Sequence, residues 1–252
     1  IAGLLWREEG VTRGCASGRA TVGDGGSTGA TGIQGAARRQ PYPLDSLPVP
    51  EYDAWLRRVR ALDLLHPDDL RLPVETSRGC WYGEKRHCAY CGFNGEAMTF
   101  RSKSPERVVD EFRALSRLGV SFLHCVDNIP NPRNFDRVLP GLASIGADSR
   151  IFWEVMPHLD RRQVGQLRDA GIRWVQAGIE SLSTNVLRRM NRGTTALHNV
   201  RFLKYAAEFG IGASWSLLFG FAGEDPADYG GMARLVPALT HLQPPFQDHQ
   251  QV

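Results

Sequence analysis

Residues 104–126 read SPERVVDEFRALSRLGVSFLHCV, and this stretch decides the fold. Ser104 is a good N-cap, and Pro105 suits the first helical position, where no backbone donor is needed. Val108, Phe112 and Leu115 recur at helical spacing and share one face. Gly119 can take the left-handed turn that ends a helix. The apolar run from Val120 to Val126 follows at once. The spacing predicts a helix over 105–118 and a strand over 120–126.

Working outward, this unit repeats. Toward the C-terminus come a weaker helix over 135–145 and a strand over 151–155. Asp160 caps a helix that carries Val164 and Leu167 inward and stops at Gly171. A strand over 174–179 leads to a short helix capped by Ser183, with Val186, Leu187 and Met190. A helix over 196–209 stops at Gly210, a strand covers 211–219, and Asp225-Pro226 opens a final helix. Toward the N-terminus, 74–77 is a short strand. Five strands alternating with helices predict an α/β fold with a parallel sheet, either an open doubly wound sheet or a barrel-like (β/α) array.

The ends differ from this core, read as 72–252. Residues 41–71 hold Pro41, Pro43, Pro48 and Pro50 and read as a linker, with a short helix over 51–62. Residues 1–40 read as the last part of an upstream domain: a short strand over 1–6, a return through Val11 and Thr12, then a flexible Gly/Ser-rich segment at 23–29. After Pro244-Pro245 only 246–252 remain, where a full barrel wants another strand, so the core is expected to be cut short.

The totals set bounds. A chain of 252 residues with 42% hydrophobic content has ample material for a core. A net charge of +3 without a basic stripe argues against nucleic acid as partner. No apolar run is long enough to cross a bilayer, and no signal peptide is visible, although the chain starts at Ile1. Five cysteines are a poor disulfide framework, and a tight cluster of them suits a reducing compartment, so the protein reads as cytoplasmic.

In parallel α/β folds the ligand site lies at the carboxyl ends of the strands. Cys80, Cys88 and Cys91 follow the first strand, with seven residues between the first two and two between the last two. Asp127 and Asn128 follow the second strand. Gly178-Ile179-Glu180-Ser181 follows the fourth and Gly220-Phe221-Ala222-Gly223-Glu224 the fifth, while Glu154 sits within the third. Three thiolates on a cubane cluster leave one iron open, whereas a closed zinc site would need a fourth ligand, His87 or His124.

Together these motifs resemble the radical S-adenosylmethionine (SAM) superfamily. The seven-residue gap departs from the three residues usual there. Within Glu75-Thr76-Ser77-Arg78-Gly79-Cys80-Trp81-Tyr82-Gly83 it is similar to radical enzymes that mature ribosomally made peptides, and Arg101-Ser102-Lys103-Ser104-Pro105-Glu106-Arg107 fits the same group. The resemblance implies a partial (β/α) barrel. Cys80, Cys88 and Cys91 would hold a 4Fe–4S cluster whose open iron chelates SAM, and one electron would release a 5′-deoxyadenosyl radical. Tyr90 would lie near the adenine, and the backbone at Gly220, Phe221 and Gly223 would meet it. Glu180 would contact the ribose or amino-acid part, its other reading being a salt bridge to Arg78 or Arg188. Asp127 and Asn128 stand where many members carry Gly-Gly-Glu, and Asp127 would substitute for it. Glu154 faces either the lumen or a core ion pair.

The remaining unusual residues read as structural. Cys125 is a buried small hydrophobe and Cys15 is incidental. His158, His198, His241 and His249 are surface or loop residues. Trp81, Trp153, Trp174 and Trp215 are core. Relatives of this type are often fused to a cobalamin-binding domain and several are C-methyltransferases. The expected activity is therefore C-methylation of a precursor peptide, with electrons from a flavodoxin or ferredoxin and any cobalamin bound mainly outside this chain, which lacks an Asp-x-His-x-x-Gly pattern. The alternatives are epimerisation or thioether formation without cobalamin, or a non-catalytic zinc or electron-transfer module.

Overall fold

The computed structural model describes residues 5–8, 11–14, 42–63, 65–66, 69–93, 98–146 and 150–242. The chain divides into two compact units, Ile1–Tyr42 and Pro43–Val252. In the first, β1 (Leu5–Glu8) and β2 (Val11–Gly14) pair antiparallel, with Leu5 opposite Gly14. Cys15, the 23–29 segment, His249 and the 246–252 stretch lie outside the described residues.

The second unit begins with α1 (Asp53–Ala61) and β3 (Arg71–Val74), followed by a short antiparallel pair, β4 (Ser77–Arg78) and β5 (Arg101–Ser102). Then come α2 (Pro105–Ser116), β6 (Phe122–Cys125), α3 (Phe135–Ala143), β7 (Arg150–Val155), α4 (Arg161–Asp169) and β8 (Ile172–Ala177). The described part closes with α5 (Thr184–Arg189), α6 (Ala196–Glu208), β9 (Gly212–Ser214) and α7 (Pro226–Leu239). The helix starts are those the sequence marks. The side chains of Ser104, Ser183 and Thr195 each accept from a backbone N–H three residues on, Asp160 forms a full capping box with Gln163, and Asp225 accepts from Ala227 N.

The sheet is parallel, in the order β3-β6-β7-β8-β9. Spatial order follows chain order, so there is no point where the winding reverses. This removes the doubly wound alternative and leaves a singly wound, barrel-like array. Strand alternation then assigns two faces. Leu72, Leu123, Ile151, Trp153 and Val175 join the helices in the main core. The other face carries Phe122, His124, Phe152, Glu154, Trp174 and Gln176, in register across β6, β7 and β8. This is the lumen side. The His124 ring stacks on Phe152 at 4.4 Å, and Phe122 meets Trp174 at 6.0 Å, which closes the lower lumen with aromatic surface.

Four expectations change. Within the stretch 41–71 read as a linker, Leu56 and Val59 of α1 sit in the main core. The first strand runs earlier than 74–77 and includes Pro73. It is an edge strand, where a missing backbone donor need not break a ladder. The last strand is only Gly212–Ser214, and beyond it Leu217 makes one isolated parallel bridge to Glu180. Of the four tryptophans read as core, Trp153 is fully buried, whereas Trp81, Trp174 and Trp215 are partly exposed. Cys125 is buried, as expected.

The 101–107 segment has a structural use. Lys103 Nζ lies 2.6 Å from Glu111 Oε2, with the two side chains 4% and 1% exposed, and Arg107 approaches the same carboxylate at 3.6 Å. Lys103 N also donates to Thr76 O at 2.8 Å. A buried pair of this kind fastens the start of α2 beneath the loop that leaves β3. Among the described residues no helix is long and apolar enough to cross a membrane.

Candidate functional site

The cysteine loop starts from a backbone that only glycine suits. Gly79 has φ +81°, and a Cβ there would lie 2.2 Å from Thr99 O. Cys80 N then donates to Met98 O at 3.0 Å. The seven residues after Cys80 are a compact turn, in which Glu84 N donates to Cys80 O and Arg86 N to Tyr82 O. Cys91 N closes back on Cys88 O at 3.1 Å.

Among the described residues, two of the three sulfurs accept from donors. Gly83 N donates to Cys80 Sγ at 3.3 Å, and Arg192 Nη1 to Cys88 Sγ at 3.9 Å. Burial pushes the Cys88 thiol up, the Arg192 guanidinium pulls it down, and Cys80 and Cys91 push it up again, so both of those cysteines lie within electrostatic reach of Cys88. Among the described residues no three His, Cys, Asp or Glu side chains converge tightly enough for a single metal ion. Of the two candidate fourth zinc ligands, His87 holds Phe93 O with Nε2 at 2.6 Å, and His124 is stacked on Phe152 on the lumen face. Three thiols, two of them with an N–H or guanidinium donor to sulfur, suit a cluster, which is larger than one ion and tuned by such hydrogen bonds.

Beside this loop the structure brings together three of the expected cofactor residues. Tyr90 packs edge-on against Phe221, ring centroids 6.2 Å apart, in a small apolar cluster with Val186, Leu187 and Met190. Its hydroxyl is directed at Glu180, and burial pushes that phenol up. Glu180 has φ +63°, a conformation that costs a non-glycine residue about 1–3 kcal/mol and that clusters at functional sites. Burial raises its carboxyl, while Arg192 and the Tyr90 hydroxyl oppose the rise. Its alternative partners are engaged elsewhere, Arg78 with Glu75 and Arg188 with Asn185. Gly220, at φ +93°, has open space where a Cβ would stand, and its N–H donates to Glu224. Gly223 lies close to Arg189, whose Nη1 would be 2.8 Å from an added Cβ.

Asp127 is a correction. Its carboxylate is 1% exposed and accepts four hydrogen bonds: from Thr76 N and Ser77 N on one oxygen, and from Thr76 Oγ1 and Trp153 Nε1 on the other. An ionised carboxylate offers about four lone-pair directions, and all are used. Asp127 therefore does not stand in for the Gly-Gly-Glu carboxylate. It anchors the end of β3, from which the cysteine loop departs. Asn128 beside it is exposed.

Glu154 forms no core ion pair among the described residues. It is half-buried on the lumen face, in register with Gln176. Burial, then the charges of Asp127 and Glu180, push its carboxyl up to about 7. Sequence reasoning missed Arg192, which is 8% exposed and also donates to Gly178 O at 2.9 and 3.2 Å. No periodicity or spacing marks it, because its partners lie 14 and 104 residues away. His158, read as a surface or loop residue, is exposed, and its ring meets Trp81 in a T-shaped arrangement with centroids 6.4 Å apart.

Comparison with known proteins places the fold in a family. The Radical SAM superfamily model matches residues 74–236. An uncharacterized methyltransferase of Pyrococcus horikoshii is 27% identical over 73% of this chain and 40% of its own. A bacteriochlorophyllide d C-12(1)-methyltransferase of Chlorobaculum tepidum is 31% identical over 51% of this chain and 28% of its own. The chain thus spans well under half the length of these curated relatives. Among solved structures, the radical SAM methyltransferase of Kitasatospora setae with tryptophan substrate and a SAM analogue bound superposes at a TM-score of 0.60. It is 20% identical, over 69% of this chain and 35% of that one. The same enzyme has been solved with cobalamin and a [4Fe–4S] cluster. With the family match covering most of the chain and the three thiols, Tyr90, Glu180 and the Gly220 turn at one rim of a singly wound sheet, this chain belongs to the radical SAM superfamily.

Proposed function

We propose that the chain is the catalytic core of a radical SAM enzyme that methylates carbon in a ribosomally made peptide. The observation that carries the reading is the joining of Cys80, Cys88 and Cys91 to Tyr90, Glu180 and Arg192 at one rim. When bound there, a 4Fe–4S cluster supplies the electron that cleaves the sulfonium of SAM to a 5′-deoxyadenosyl radical. The chain's own residues do the rest by placement. Cys80, Cys88 and Cys91 would ligate three irons. Arg192, a buried guanidinium between Cys88 and Glu180, suits the carboxylate of the bound amino acid. Glu180 and Tyr90 form an acceptor and donor pair for its ribose or ammonium group. Phe221 and the Gly220 turn leave a flat, close-approach surface for the adenine.

The aromatic layer of His124, Phe152, Phe122 and Trp174 keeps water from the lower lumen. Glu154 and Gln176 stand one layer above and are the polar groups we assign to the substrate. C-methylation is favoured by the methyltransferase relatives, and a peptide substrate by the seven-residue cysteine spacing. No residue of this chain is assigned to cobalamin. The electron is taken from a low-potential protein such as a flavodoxin or ferredoxin, and the reduced thiols suit the cytoplasm.

The test is anaerobic incubation with SAM, a reductant, methylcobalamin and any short peptide encoded beside this chain's gene. One SAM is reduced to 5′-deoxyadenosine and methionine, and the methyl group reaches the substrate carbon from methylcobalamin, which is left as cob(II)alamin. A peptide heavier by a methyl group, formed with 5′-deoxyadenosine, supports the reading. A modified peptide of unchanged mass would replace methylation by epimerisation.

A further inference from the structure

We propose that Tyr82 and Asn191 are positioning residues of the cluster site: they clasp the Cys80–Cys88 loop to the segment after α5 and so hold the Arg192 guanidinium against Cys88. The inference rests on the reading of the three cysteines as cluster ligands.

The clasp is built from the residues that make this loop long. The turn after Cys80 holds Tyr82 so that its hydroxyl donates to Asn191 O at 2.9 Å. Asn191 Nδ2 donates back to His87 O at 2.9 Å, and Ala89 N donates to Met190 O at 2.9 Å. Three hydrogen bonds thus lace together two segments about a hundred residues apart in sequence. The second segment is shaped to receive them. Asn191 is left-handed at φ +54°, which asparagine tolerates better than most residues. Gly193 follows at φ +67°, and a Cβ there would stand 2.2 Å from the Tyr82 hydroxyl oxygen. Arg192 lies between these two fixed positions. Its guanidinium is turned inward, anchored on Gly178 O and donating to Cys88 Sγ. A positive charge and an N–H donor beside a cluster sulfur favour the reduced, more negative cluster. Among the described residues Tyr82 and Asn191 make no hydrogen bond to a cysteine sulfur, so they act through Arg192 and the loop backbone rather than as ligands.

The experiment reconstitutes the 252-residue chain and its Tyr82→Phe, Asn191→Ala and Arg192→Leu variants anaerobically with iron and sulfide. Iron per chain and the midpoint potential, followed by EPR, are measured without SAM or substrate. Arg192→Leu is expected to move the midpoint to lower potential, and Asn191→Ala and Tyr82→Phe to move it the same way by a smaller amount. Tyr82→Phe removes one hydroxyl and guards against a folding artefact. Wild-type potentials in the Tyr82 and Asn191 variants overturn the inference, as does an unmoved potential in Arg192→Leu. A wild-type chain that takes up no cluster overturns instead the ligand reading. The clasp is then judged in the apo protein by hydrogen exchange at the Ala89 amide, expected to be about tenfold faster in Asn191→Ala, as for one lost net hydrogen bond. Equal exchange rates there overturn the clasp itself.

Discussion

Asp127 and Glu154 are both carboxylates at or near strand ends, and their surroundings give them opposite roles. Asp127 collects four donors, so removing its charge should be costly. Asp127→Asn would turn an amide NH2 toward groups that are themselves donors and should destabilise the apo chain by about 2–4 kcal/mol, read from urea unfolding. The sequence could not separate the two roles. Asp127 sits where a ligand is expected, and the partners that decide otherwise, Thr76 and Trp153, lie 51 and 26 residues away. The cysteines were readable because their spacing is local. Arg192 was not, because nothing near it in sequence distinguishes it from a solvated arginine. Gly193→Ala should fail for a local reason, a Cβ in contact with Tyr82, and a reduced iron content after reconstitution with an otherwise folded chain is the expected result.

At the scale of elements, β7 carries a pH signature. The folded carboxyl of Glu154 is raised from 4.5 to about 7. Between those values the folded chain binds more protons than the unfolded chain, so this group's contribution to stability falls as pH rises through the window. Urea unfolding of apo wild type should therefore lose stability between pH 5 and 7 relative to Glu154→Gln, and parallel curves would contradict the lumen placement. Under α2, Lys103→Met should leave Glu111 with only the longer Arg107 contact at 3.6 Å and destabilise the chain by up to the about 3–5 kcal/mol of a fully broken buried pair, measured by thermal and urea unfolding. The helices were legible from caps and periodicity, since both signals are local. The strands were less so. Pro73 hid the first one, because a proline argues against a strand until the strand is known to lie on an edge. The last was overextended, because the apolar run past Ser214 reads the same whether it pairs or turns outward.

At the scale of the molecule, the alternation of strands and helices announced a parallel sheet but left its winding open. Only the order β3-β6-β7-β8-β9 settles that, and it puts every βα loop named above on one rim. The most direct test of the central claim is reconstitution of the chain with iron and sulfide under anaerobic conditions, followed by addition of a reductant and SAM. The account predicts about four irons per chain, a broad charge-transfer absorption that Cys80→Ala, Cys88→Ala and Cys91→Ala each abolish, and release of 5′-deoxyadenosine. A colourless zinc-loaded protein, or a cluster that leaves SAM intact under reduction, would contradict it.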